Sequence, residues 1–137
     1  MVNFNGGDGM PFVVKAAPSD AAETKSFSFH EKTMYRGKDI CPRDDIFVFA
    51  SDHQGGQGLV AKGIVTSVAH GPGIRVSIKV RRTAVARRNL GRRELKPFCD
   101  RDDDRPQTEI ARKLYRQATN KIAGVSDEAA AFLSTFF

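Results

Sequence analysis

A chain of 137 residues is long enough to bury a core of its own without disulfides or metals, and its length fits one domain. Its 40% apolar and 28% charged residues exclude a disordered chain, and no apolar run approaches the roughly 20 residues of a membrane-spanning helix. The net charge of +6 is the informative quantity, because it is unevenly spread. From Arg75 to Lys96 nine basic residues meet one acid, Glu94, so this window carries +8 and the rest of the chain −2. A field concentrated in one segment attracts polyanions, and the planar fork of arginine, which dominates here, suits phosphates and base edges.

Residues 1–10, rich in Asn and Gly, read as a flexible lead with neither the basic nor the apolar region of a signal peptide. A single domain over 11–137 follows. Phe12-Val13-Val14-Lys15-Ala16, set between Pro11 and Pro18, predicts the first strand. Residues 19–43 have no clean period, and their rings Phe27, Phe29 and Tyr35 require partners in a core or a pocket. Pro42-Arg43-Asp44-Asp45 forms a turn into Ile46-Phe47-Val48-Phe49-Ala50, a buried strand by its β-branched and aromatic content. A glycine-rich connection, His53–Gly58, leads to a strand over Leu59–Val68, in which Gly63 marks a bulge or a close backbone approach.

After the turn His70-Gly71-Pro72-Gly73, strict alternation sends Ile74, Val76, Ile78 and Val80 to the core and Arg75, Ser77, Lys79 and Arg81 to the opposite face. The barrel strands are thus expected over 12–82, and a basic loop over 83–97 is anchored by Leu90 and Leu95. Pro106 opens a helix in which Ile110, Leu114, Ala118 and Ile122 recur every fourth residue, predicting helix over 106–123 with Gly124 as its C-terminal cap. Ser126, followed by Asp127 and Glu128, caps a second helix over 126–136 with Ala129, Phe132, Leu133 and Phe136 inside. Strands followed by two C-terminal helices make an α+β domain, built on a small β-barrel or a strongly curved mixed sheet.

Motifs for catalysis and metal binding are missing from this pattern. Ser51-Asp52-His53 are consecutive, and consecutive residues on an extended chain point apart, so they do not form a triad with one another. Asp100, Asp102, Asp103 and Asp104 lack calcium-loop spacing and are interleaved with Arg101 and Arg105. Gly55-Gly56-Gln57-Gly58 lacks the Gly-Lys-Ser/Thr ending of a phosphate loop. Cys41 and Cys99 are far apart, with no CxxC and no histidine set, which fits reduced thiols in a cytoplasm. No catalytic residue, metal or cofactor is assigned.

Several segments together resemble the PUA-like superfamily: FVVKAA, SFSFHEKTMYRGKDI, PRDDIFVFAS and GLVAKGIVTSV, followed by a long basic strand and a helical tail. The likeness is greatest to EVE-like domains and to PUA-like modules found beside restriction nucleases. PRDDIFVFAS is similar to their first GD-aromatic-apolar strand, with Asp44 where the family has glycine. Gly63-Ile64-Val65 matches a Gly-x-Val signature. The resemblance implies recognition of RNA or of modified DNA bases, with a flipped or single-stranded base held in a pocket of the barrel. With no tryptophan in the chain, the ring for such a pocket falls to Tyr35, Phe29 or Phe49.

The resulting expectation is a non-catalytic nucleic-acid-binding module, with RNA or DNA as partner and no membrane. Its phosphate contacts are Arg75, Lys79, Arg81, Arg82, Arg87, Arg88, Arg92 and Arg93. Its base pocket is Lys15, Tyr35, Arg36, Phe49, Ser51 and His53. The C-terminal helices, ending on Phe137, offer a face for a homodimer. Two rivals stand beside it: an RNA-processing nuclease using Lys15, Tyr35 and Arg36, and a protein-interaction adaptor whose basic face meets an acidic partner.

Overall fold

The computed structural model describes residues 9–16, 25–50, 58–116 and 119–137. Six strands, β1 (Pro11–Ala16), β2 (Ser26–Met34), β3 (Asp45–Ala50), β4 (Gly58–His70), β5 (Arg75–Val85) and β6 (Lys121–Gly124), close a barrel in the order β1-β3-β4-β5-β2-β6. The helices are α1 (Arg92–Leu95), α2 (Pro106–Leu114) and α3 (Asp127–Ser134). None is long and apolar enough to cross a membrane. The α+β barrel is the expected class, with two strands more, β2 in the aperiodic stretch and β6 near the C-terminus, and the first long helix shorter than the sequence pattern predicts.

The residues of β6 continue the four-residue spacing of Ile110 and Leu114, yet helix α2 ends at Leu114 and Lys121–Gly124 runs extended. It pairs antiparallel with β1 (Val14 opposite Ile122) and parallel with β2 (Thr33 opposite Ile122). Without it both neighbours would keep a row of unpaired backbone groups, a cost that outweighs local helix propensity. Gly124 therefore ends a strand and does not cap a helix. Ala118 of the predicted stripe lies outside the described residues.

Closure creates two cores. Phe12, Val14, Ile46, Val48, Val76, Ile78, Val80 and Ile122 fill the barrel. The intervening residues of β1 and β3, namely Val13, Phe47 and Phe49, face outward onto Leu95, Ile110, Leu114 and Leu133 of the helical layer. Burial on both faces is why these strands read as continuous apolar runs. Gly63 marks both expected features. The β4–β5 register slips beside it, and a Cβ there would meet the Val80 side chain at 2.5 Å and the Arg81 carbonyl at 2.6 Å. Asp44, buried, uses its carboxylate to accept the backbone N–H groups of Met10 (2.9 Å) and Cys41 (2.7 Å), fastening the chain where it enters β1.

Two lysines hold the last carbonyls of helix α2. Lys15 and Lys121, both buried, donate to the carbonyls of Leu114 (2.7 Å) and Lys113 (2.9 Å), cations at the negative end of the helix dipole. Burial, with Lys15 and Lys32 nearby, pushes the Lys121 ammonium down to about 8. Glu109 ties α2 to α3: it accepts from the backbone N–H (2.7 Å) and hydroxyl of Ser126 and from Lys113 Nζ (2.9 Å). Ser126 in turn caps α3 by accepting from the Ala129 N–H at 3.1 Å. Phe137, half-buried, turns its ring onto Phe47 of its own chain, centroids 6.0 Å apart.

Burial pushes the Glu109 carboxyl up, but Ser126 and Lys113 outweigh it and hold the group below the ordinary glutamate range. A lowered folded value means stability present at neutral pH and lost as pH falls through that value. Glu109→Gln is expected to lower stability at pH 7 by about 1–2 kcal/mol and to flatten the acid limb of a Tm-against-pH curve. A variant as acid-sensitive as the parent would remove Glu109 from this account.

Candidate nucleic-acid interface

Strict alternation in β5 decides the layout of the basic residues. Arg75, Lys79 and Arg81 are exposed on the outer face while Val76, Ile78 and Val80 are buried in the barrel; Ile74, expected among them, precedes the strand in the turn and is 55% exposed. Their cross-strand neighbours are small or polar: Lys79 lies between Ser28 of β2 and Ser67 of β4, and Ser77 between His30 and Ala69. His30 Nδ1 and Ser77 Oγ are 2.6 Å apart, a hydrogen bond across the strand pair. These residues, with Phe29 and Ile78, line a cleft of about 250 Å³. Arg81 pairs with Ser26, and Arg82, with Lys25 and Thr83, lines a second depression at the far end of β5.

The ion pairs among the described residues are Arg101–Asp103, Arg112–Asp102 and Lys113–Glu109. None uses Arg75, Lys79, Arg81, Arg87 or Arg93. Glu31 does lie in the field of Arg75: burial raises its carboxyl and Arg75 draws it back.

Beyond Val85 the remaining arginines divide. Arg87 is exposed, and its backbone N–H donates to the Phe136 carbonyl at 2.7 Å. Arg88 departs from expectation. Its Nη2 donates to the Thr135 carbonyl at 2.8 Å and its guanidinium lies 4.3 Å from the Phe136 ring centre, so it fastens the loop to the C-terminus of α3. One nitrogen of its exposed fork thus serves the structure itself. Arg92 and Arg93, with Lys96 and Pro97, line a shallow depression on α1, whose first turn is held by Glu94 accepting the Gly91 N–H at 2.7 Å.

The expected base pocket is not assembled as one hollow. Phe49 is wholly buried against the helical layer, because every second residue of β3 faces the helices and not the barrel mouth. Lys15, 3% exposed, lies under the last turn of α2 with its Nζ also 5.3 Å from the Tyr115 ring. Neither reaches a base in this fold, and the trio of the nuclease reading is split accordingly. Ser51 and His53 lie outside the described residues.

Tyr35 and Arg36 remain. Both adopt left-handed backbone, φ 52° and 65°, a conformation that costs a non-glycine residue about 1–2 kcal/mol. Surrounding structure enforces it. Tyr35 O accepts the Gly124 N–H at 3.0 Å, and at Gly37 a Cβ would meet the Ile122 carbonyl oxygen at 2.2 Å. The Tyr35 ring is 46% exposed, with Lys113 Nζ 5.4 Å from its centre. Sequence reasoning marked this ring but missed both the strained turn and Lys32, which lies opposite Arg75 and extends the basic row onto β2. Lys32 sits in an aperiodic stretch, where only the pairing register reveals its neighbour.

No protein-family model matches the chain, and none of the curated proteins does. Solved structures do. The DUF55 domain of human thymocyte nuclear protein 1 is 13% identical, covering 90% of this chain and 96% of that one with a TM-score of 0.65. Human THYN1 protein in complex with 5-methylcytosine containing DNA is 12% identical, covering 93% and 97% with a TM-score of 0.65. A hypothetical protein from Leishmania major is 15% identical, covering 96% of each chain with a TM-score of 0.63. At such identities the likeness establishes the fold, a PUA-like barrel across nearly the whole chain.

The division of the arginines has a direct check. Arg88→Ala is expected to destabilise the protein by about 1 kcal/mol through loss of the carbonyl bond and the ring contact. Arg93→Ala should stay within about 0.5 kcal/mol of the parent, as surface substitutions do. Equal Tm values for the two variants would take Arg88 out of this structural role.

Proposed function

We propose that this chain is an EVE-related PUA-like module that binds nucleic acid without acting on it, phosphates on its basic face and a base against Tyr35. The observation that carries this is the row Arg75, Lys79 and Arg81, which stands exposed on one strand while none of the three takes part in an ion pair among the described residues. A polyanion supplies the counter-charge, with Arg87, Arg92 and Arg93 adding to the field from the following loop and α1. The Tyr35–Arg36 turn supports the second half of the reading. Strain held in place by a packed glycine and a backbone bond is found where a side chain must be presented in a fixed attitude. An exposed ring with the Lys113 ammonium 5.4 Å from its centre suits a stacked, unpaired base.

The human neighbour solved with 5-methylcytosine containing DNA supports reading a modified base on this barrel. The reading assigns the chain to the cytoplasm, where Cys41 and Cys99 stay reduced. Its test is binding by fluorescence anisotropy to single- and double-stranded DNA and RNA, with and without 5-methylcytosine, at two salt concentrations. Tyr35→Ala is expected to weaken binding roughly tenfold or more, since stacking is worth about 1–3 kcal/mol per base, and to leave the salt dependence unchanged because the ring is neutral. Undiminished affinity in a variant of unchanged Tm would take Tyr35 out of the site. Failure of the parent protein to bind any of these probes would end the proposal.

A further inference from the structure

We propose that the nucleic acid on this face is a single strand running along β5, its successive phosphates meeting Arg75, Ser77, Lys79 and Arg81. The assignment rests on the nucleic-acid reading above and goes beyond it by giving the path and the strandedness. Its basis is the spacing and the width of the surface.

Side chains on one face of a strand recur every second residue, about 6.8 Å, close to the length of one nucleotide of extended sugar–phosphate backbone. Arg75, Ser77, Lys79 and Arg81 occupy four consecutive positions of that ladder. Three are cations, and the fourth offers a hydroxyl bonded across to His30. The flanks are low. Ser26 and Ser28 lie on the β2 side, Ser67 and Ala69 on the β4 side, leaving the cleft centred on Lys79. Three strands at about 4.8 Å spacing give a strip the width of one backbone. A duplex brings two phosphate rows, and at Ser26, Ser28, Ser67 and Ala69 the neighbouring strands carry hydroxyl and methyl groups in place of a second cationic row. Lys32, opposite Arg75, continues positive charge at the end where the Tyr35 turn leaves β2. A strand tracking β5 in that direction therefore leads toward the exposed ring.

The experiment uses the whole chain and labelled oligothymidylates of two, four and eight nucleotides, beside a duplex of the longest, over a salt series. Affinity is expected to climb steeply from two to four nucleotides and gently beyond, with the single strand preferred over the duplex. On single strands the log–log salt slope is about −0.7 per neutralised phosphate. Replacing Arg75, Lys79 and Arg81 together by Gln should therefore reduce its magnitude by about 2. Ser67→Glu, which sets a carboxylate beside Lys79 without touching the barrel interior, should weaken single-strand binding in a protein of unchanged Tm.

An unaltered slope in the triple variant, with the parent still binding, would overturn the path while leaving the nucleic-acid reading intact. A duplex bound as tightly as the single strand would overturn the strandedness. An acidic peptide competing as well as the longest oligothymidylate would reassign the face to a protein partner. No binding by the parent at all would remove both readings.

Discussion

Four residues hold the barrel shut. Lys121–Gly124 enter between β1 and β2, satisfy the backbone of both, and send Ile122 inward and Ala123 outward, so the same segment completes each core. The helical layer depends on this closure as well. Lys121 reaches the end of α2 from β6, and Lys15 reaches it from the paired position on β1. The Tyr35 turn leans on the same strand through the Gly124 N–H and the tight approach of Gly37 to Ile122. One short segment thus couples the interior, the helices and the strained loop.

The consequence is a molecule with two unlike sides. Apolar residues of β1 and β3 are spent beneath α1, α2 and α3, where arginine serves as a fastener: Arg88 holds the C-terminal turn. The outer face of β2, β5 and the far half of β4 carries hydroxyls and cations. A cation on the first side contributes to stability. One on the second side adds little to folding, since exposed charges in high dielectric contribute little, and is available to a ligand.

The sequence made part of this legible. Period-two alternation in β5 identified the exposed row residue by residue, because a half-buried strand leaves an unambiguous mark. Gly63 announced a bulge for the same reason: a glycine inside a strand pattern needs an explanation, and crowding supplies it. β6 was hidden because Ile122 stands at a helical spacing from Ile110 and Leu114, and only the demand of two open strand edges overrides that period. Arg87 and Arg88 are indistinguishable as neighbours in the chain. The fold separates their side chains: the guanidinium of Arg88 meets Thr135 and the Phe136 ring, while Arg87 meets Phe136 through its backbone N–H. Phe49 shows the same limit: alternation tells that two faces exist, while the side facing the helices is set by packing far along the chain.

The two thiols occupy opposite circumstances. Cys41 is exposed in the turn before β3, whereas Cys99 is buried against α2, its sulfur 3.5 Å from the Ala111 carbonyl and its thiol pushed up by burial and by Asp100. An alkylating reagent therefore meets one reactive sulfur in the native molecule, and the second only when the helical layer lifts from the barrel. The pair forms a built-in clock: the lag between first and second modification measures how often that layer opens.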